Sequence, residues 1–125
     1  MAKERNFGET DLIVIRGNLY SYWSWDDHLQ MHKVEVVDID EDGILTSTGI
    51  PEFFSEKEME EGKEMELTYQ QWVGLAKFFI RNSYFLEESE CERGAEKVME
   101  KFLLSPVPLV EELPKFVRTY FEKGE

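Results

Sequence analysis

The chain has 125 residues, the usual size of one domain, and its 27 acidic and 14 basic residues give a formal net charge of −13. Leu, Ile, Val and Phe make up about 28% of it, above the roughly 20% below which charged chains tend to be disordered, so we expect a hydrophobic core. The charge disfavours direct nucleic-acid binding, the single cysteine excludes an internal disulfide and a Cys-cluster zinc site, and the apolar runs are too short for a membrane-spanning helix.

Residues 1–10 are polar and lack periodicity, which predicts a flexible N-terminus. They lead into no apolar segment of the kind that a secretory signal needs, so we expect a cytoplasmic protein without membrane partners. No repeat or low-complexity linker divides the rest of the chain, and we expect a single domain over residues 11–125.

The first half of the chain predicts β-strands, because short apolar stretches rich in β-branched residues alternate with turn residues. These stretches are residues 12–15, 19–23, 31–39 and 44–48. Gly17-Asn18 separates the first two, which fit two strands or one bent strand equally well. Asp40–Gly43 separates the last two and predicts a hairpin turn in which Gly43 takes a positive φ.

The middle of the chain predicts only short elements. Ser55 and Glu58 form a capping box for a short helix near residues 55–61, which Gly62 ends. Residues 65–67 fit a short edge strand.

The second half predicts three helices, since apolar residues recur there at spacings of three and four. The expected starts are a Thr68–Gln71 capping box, a Ser89–Glu92 capping box and Pro114, with a separate turn over residues 109–112. Strands followed by helices predict an α+β fold: an N-terminal antiparallel meander of about 3–4 strands packed against about three C-terminal helices. The alternative is a small, partly open β-barrel capped by helices.

The net charge is concentrated in three short segments. Residues 38–42 hold four acids and no base, residues 52–66 seven acids and two bases, and residues 87–96 five acids and one base, while the remaining residues balance. Acids are common at such turns and helix starts, where the helix dipole favours each by about 0.3–1 kcal/mol. The functional alternative is that the segments converge and accelerate the encounter with a basic partner by about 10–10³-fold.

The segment Tyr20–His28 is unusually aromatic. A regular strand divides its side chains into two sets, Tyr20, Tyr22 and Ser24 on one side and Ser21, Trp23 and Trp25 on the other. If one set is exposed, it suits a protein interface or a flat ligand such as a sugar or base. If both are buried, they belong to an ordinary core.

Metal and nucleophile patterns are weak. His28 and His32 have a metal-binding spacing for a helix, but a strand separates such positions by about 13 Å. The acids of residues 38–42 match the first half of an EF-hand loop, yet Gly49 stands where that loop needs Glu. Cys91 lies among glutamates on an apolar helix face, which predicts a buried thiol. Since Gly-rich phosphate loops and nucleophilic Ser motifs are also missing, no metal, cofactor or catalytic residue is assigned.

The sequence thus predicts a non-enzymatic acidic module that binds a macromolecule, foremost a protein with a basic surface, as an adaptor, inhibitor or immunity-type protein. The predicted partner-binding residues are Asp38, Asp40, Glu41, Asp42, Glu58, Glu60, Glu61, Glu64, Trp23 and Trp25. The alternative is a small-molecule-binding domain or enzyme with a pocket formed by Tyr22, Trp23, Trp25, Asp26, Asp27 and His28. A third alternative is a homodimer through the aromatic strand face.

Overall fold

The computed structural model describes residues 12–123, and the predicted flexible N-terminus, residues 1–10, lies outside them. Four strands come first: β1 (Leu12–Ile15), β2 (Asn18–Asp26), β3 (Met31–Ile39) and β4 (Leu45–Phe54). Three helices follow: α1 (Tyr69–Ser83), α2 (Glu88–Phe102) and α3 (Leu113–Lys123). Short 3-10 turns lie at Glu58–Glu60 and Val110–Glu112. The predicted α+β order of strands and helices is confirmed.

The strands form one antiparallel sheet in the order β1-β2-β3-β4. Among the described residues β1 and β4 are not paired, so the sheet is open and the barrel alternative is wrong. Arg16 and Gly17 join β1 to β2 with φ of 54° and 77°, the left-handed values that two-residue hairpin turns favour. Of the two alternatives for this part of the chain, two strands joined by a turn is therefore correct. Gly43 has the predicted positive φ, 84°.

The two faces of the sheet are covered differently. The helix face packs against the helices and forms the main core; its buried strand residues are Leu12, Val14, Leu19 and Val37. The second face forms a separate cluster of Ile13, Ile15, Tyr20, Tyr22, Val34 and Phe54. Met59 of the first 3-10 turn packs against this second cluster.

Both edge strands have features that restrict further strand pairing. The N–H of Val14 on β1 donates to Glu111 Oε2 at 2.9 Å, so this backbone donor is already bound to a side chain. On β4, Gly49 has a φ of 77°, and Pro51 has no N–H to donate. These features limit how far a further strand can pair with either edge.

The middle of the chain is less regular than predicted. Ser55 and Glu58 form their reciprocal capping bonds, at 2.7 and 3.1 Å, but the helix that follows is only one 3-10 turn. Within the described part of the chain, residues 65–67 pair with no strand, so the predicted edge strand is wrong. Their neighbours Glu61 and Gly62 instead accept hydrogen bonds from the β1–β2 turn, at 2.8 and 2.9 Å.

The predicted start of the first helix is correct, whereas that of the second is not. The Thr68–Gln71 capping box of α1 is confirmed, with bonds of 3.0 and 3.1 Å. The Ser89 cap predicted for α2 is wrong, since that helix starts after Glu87, whose N–H donates to the Glu90 carboxylate at 3.2 Å. This start buries Cys91, as predicted. None of the helices formed by residues 12–123 is both long and apolar enough to cross a bilayer.

The β3–β4 turn lies directly on α1. A Cβ built on Gly43 falls 2.6 Å from the carbonyl oxygen of Gln70 and 2.8 Å from Gly74 Cα, and a Cβ built on Gly74 overlaps the Gly43 backbone. Gln71 Nε2 also donates to the carbonyl of Asp40 at 3.2 Å. Two facing glycines therefore let the backbones touch and fix the hairpin against the helix.

Candidate interaction surfaces

A bulge in β2 separates two tryptophans that strict alternation places together. The pairing with β3 shifts between Tyr22 and Ser24, so Trp25 lies opposite His32 on the second face. Trp23 lies on the other side of the sheet, where its Nε1 donates to Glu35 Oε1 at 3.0 Å. The expectation that both indoles share one side is wrong, because an extra residue in a strand inverts the side chains beyond it.

Trp23 is exposed and yet held in one orientation. It is 58% exposed, and besides its bond to Glu35 it lies under the Lys33 ammonium, 5.3 Å from the ring centroid. Phe53 of β4 is paired with Lys33 in the register and is 37% exposed. We call Trp23, Lys33 and Phe53 the sheet-end patch, because they lie side by side on three neighbouring strands.

One carboxylate anchors this patch. Glu35 accepts hydrogen bonds from the Ser47 hydroxyl, from the Gly49 N–H at 2.6 Å and from the Trp23 indole. These bonds, that from Ser47 above all, hold the pKa of Glu35 below its ordinary 4.5. The charged carboxylate therefore links β2, β3 and β4 at neutral pH and orients the exposed indole.

Four other side chains meet on the second face. The Tyr22 hydroxyl lies 2.7 Å from His32 Nδ1, and Nε2 of the same ring lies 2.8 Å from Glu56 Oε1. Trp25 packs edge-on against the imidazole, with the ring centroids 4.8 Å apart. Tyr22 and His32 are buried, whereas the Glu56 side chain is 78% exposed. This phenol–imidazole–carboxylate chain can relay a proton between solvent and a buried hydroxyl.

Sequence reasoning assigned neither His32 nor Glu56 to a site. The alternation of β3 carries a signal for the first, since His32 is in phase with buried Val34 and so belongs beside Tyr22. Glu56 follows the end of β4 and has no such pattern. Its contact with His32 depends on the β3–β4 register, which pairs His32 with Phe54.

The structure disperses the remaining residues of the predicted pocket. Asp26 accepts from the Leu29 N–H at 3.0 Å and Asp27 from Trp25 Nε1 at 2.7 Å, so both carboxylates act within the β2–β3 turn. His28 is exposed in that turn. Of the six predicted residues, only Tyr22 and Trp25 lie beside the imidazole of His32.

Several of the predicted partner-binding acids bind within the fold. Glu58 and Glu61 pair with Arg16 at 3.2 and 2.8 Å, and the Ser55 N–H bond to Glu58, with Arg16 contributing, lowers the pKa of that carboxyl. Asp40 accepts two backbone bonds of 2.9 Å in its own turn. The predicted acids that are exposed and form no ion pair with another described residue are Asp38, Glu41, Asp42, Glu60 and Glu64.

Two of the three acidic segments each contribute a residue to the same groove. Asp42 of the first and Glu88 of the third line a groove of about 390 Å³ between the β3–β4 turn and α1. Lys77 and Arg81 line the same groove and bind Glu88 at 3.1 and 3.0 Å, which lowers the pKa of Glu88. The second segment contributes Glu64 and Glu66 to another groove. The acidic surplus is therefore spread over more than one surface.

Comparison of the chain with protein-family models, with curated proteins and with solved structures gave no match.

Proposed function

We propose that this chain is a non-enzymatic module that binds a protein partner through the sheet-end patch, and that the partner presents a basic surface. The supporting observation is Trp23, an indole that is 58% exposed and at the same time fixed by Glu35 and Lys33. Tryptophan is enriched among interface residues that each contribute about 2 kcal/mol or more. A side chain that is already ordered loses little further entropy on binding.

The charge supports the choice of partner. A net charge of −13 repels acidic proteins and raises the association rate with basic ones in a salt-dependent way. Such an adaptor or inhibitor role requires no cofactor, and we place it in the cytoplasm, where the thiol of Cys91 stays reduced.

The test is affinity capture from the native host with wild-type protein and the variant Trp23→Ala. Tyr69 of α1 provides a matched control, since it is 50% exposed but lies outside the patch. We expect a captured basic protein to be lost with Trp23→Ala and retained with Tyr69→Ala. Equal capture by wild-type protein and Trp23→Ala contradicts the proposal.

The steering role of the acids has its own test. Neutralising Asp38, Glu41 and Asp42 as Asn, Gln and Asn leaves the internal bonds of Asp40 in place. We expect association with the captured partner to slow by about threefold or more at low salt, with the difference fading at 0.5 M salt. An association rate that does not change at low salt contradicts electrostatic steering by this segment.

A second candidate function, small-molecule binding or catalysis on the second face, is supported by the Tyr22–His32–Glu56 chain. The order of its groups is suited to proton transfer at the Tyr22 hydroxyl. A ligand screen that follows the NMR signals of the His32 ring and the Trp25 indole N–H tests it, with shifts in both expected. A library of aromatic, sugar and acyl compounds that moves neither signal rejects this candidate.

A further inference from the structure

Residues 63–67 behave like a strand that has no neighbour. Exposure alternates along this segment, with Lys63, Met65 and Leu67 half-buried and Glu64 and Glu66 exposed. Met65 and Leu67 pack against the main core. This period of two is the pattern of an extended chain with one side on the protein and the other toward solvent.

The segment is fixed at both ends and unpaired between them. At one end the carbonyls of Glu61 and Gly62 accept from the N–H groups of Arg16 and Gly17. At the other end Thr68 caps α1. Within the described part of the chain, the backbone N–H and C=O groups of residues 63–67 form no hydrogen bond. A row of unpaired backbone groups is a template for the addition of a strand.

A groove of about 680 Å³ lies beside this segment. Met65, Leu67 and Trp72 contribute apolar side chains to it, and the sequence Pro106-Val107-Pro108 forms another part of its lining. Because proline lacks an N–H, the two prolines cannot donate to a peptide in the groove. We therefore expect a peptide in the groove to pair with the backbone groups of residues 64–67, which line it and form no hydrogen bond within the described chain.

The charge of the groove is acidic. Glu64 and Glu66 line it, and no lysine or arginine is among the described lining residues. The nearest cation in the sequence, Lys63, is bound to Glu111 at 2.7 Å. An occupant with cationic side chains two residues apart complements the two carboxylates, which the period of two places on the same side of the segment.

We propose that this groove binds an extended, lysine- or arginine-bearing segment of a partner protein, which adds as a strand to residues 63–67. This inference rests on the proposed function for the basic chemistry of the partner, but the site is separate from the sheet-end patch. Five residues of strand extend over roughly 16 Å, so a segment of about five to seven residues fills the site.

The probe is a fluorescein-labelled peptide of about seven residues with alternating Lys and Val, followed by fluorescence anisotropy. We expect Glu64→Gln with Glu66→Gln to weaken its binding by about fivefold to tenfold. The control Glu92→Gln with Glu96→Gln removes the same charge from exposed positions on α2 and should change binding by less than about twofold. Equal losses with the two variants show unspecific attraction and overturn the site.

Two further measurements test the strand addition itself. The same peptide with alternate backbone nitrogens methylated keeps its charge but loses donors, and we expect it to bind at least about tenfold more weakly. Hydrogen exchange of the amides of residues 63–67 should slow when the unmodified peptide binds. Equal affinity for the methylated peptide, or unchanged exchange, overturns the inference.

The experiments can reject the inference about the groove and the proposal for the sheet-end patch independently. If Trp23→Ala abolishes partner capture while the Lys–Val peptide does not bind, the groove inference alone is wrong. If the peptide binds as described while capture does not depend on Trp23, the proposed function of the patch is wrong. A complex in which a second copy of this chain fills the groove also contradicts the basic occupant.

Discussion

The contact between the β3–β4 turn and α1 gives a prediction whose sign differs from the usual effect of glycine substitution. Replacing a glycine with alanine in an ordinary helix interior stabilises the helix by about 1 kcal/mol, because Ala has the higher helix propensity. Here the new Cβ would lie 2.5 Å from Gly43 Cα, whereas ordinary contact starts at 3.4 Å. Because the new Cβ would also overlap the Gly43 carbonyl oxygen, the hairpin or the helix must move by more than about 1 Å.

The expected magnitude follows from these two effects. Overpacking of this kind costs about 1–3 kcal/mol, and more when the obstructing atoms belong to the backbone. This cost exceeds the gain from the higher helix propensity of alanine. We expect Gly74→Ala to lower the free energy of unfolding by about 2 kcal/mol. Gly94 of α2 is the matched control, since its Cβ would meet the far end of the Phe121 ring, at 2.9 Å, and a flexible side chain can move aside.

Urea denaturation of the wild type and both variants measures the difference. A lower midpoint with an unchanged slope shows a loss of stability alone. We expect that result for Gly74→Ala, and a change within about 1 kcal/mol for Gly94→Ala. If Gly74→Ala is as stable as the wild type, the backbone contact does not hold the hairpin and the reasoning is refuted.

Three further predictions concern separate parts of the molecule. The pKa of Glu35 is lowered in the folded state, so its bond to Trp23 should be present at any pH above the ordinary carboxyl pKa of 4.5 and be lost as the pH falls through the pKa of the folded state. The NMR signal of the Trp23 indole N–H should report this loss, and Glu35→Gln should abolish the transition. Glu111→Ala leaves the Val14 N–H without its acceptor and also removes the ion pair with Lys63, so it should lower the free energy of unfolding in urea by about 1–3 kcal/mol. The neighbouring substitution Glu112→Ala should change it by less than about 0.5 kcal/mol. Sedimentation velocity should show a monomer, because two copies that each carry −13 repel one another; a dimer that disappears with Trp23→Asp would assign the sheet-end patch to self-association.

The parts of the fold that follow local rules were predictable from the sequence. The α1 cap depends on two side chains three residues apart, and the turn at Gly43 on one residue that tolerates a positive φ. The order of strands and helices followed from hydrophobic periodicity. The start of α2 shows the limit, because Ser89 and Glu87 are both followed three residues later by Glu, and pairing of Glu88 with α1 accompanies the earlier start.

The candidate sites depend on non-local register and were less predictable. The composition of residues 20–28 identified an aromatic segment, but the bulge after Tyr22 decides which face each indole occupies. The strand predicted over residues 65–67 is wrong, because the neighbouring strand that it needs is missing from residues 12–123. A sequence pattern predicts the structure of one segment, whereas a site depends on how several segments are placed relative to one another.

The features that restrict pairing at the sheet edges have a consequence for aggregation. A chain with an unpaired extended segment risks stacking with copies of itself, since exposed strands recruit other strands. In this protein Glu111 occupies a donor of β1, and Gly49 and Pro51 interrupt β4, while residues 63–67 carry Glu64 and Glu66 as like charges that oppose stacking of identical segments. Replacing these two glutamates removes both the attraction for a basic segment and the protection against self-assembly, so the same charges serve selectivity and solubility.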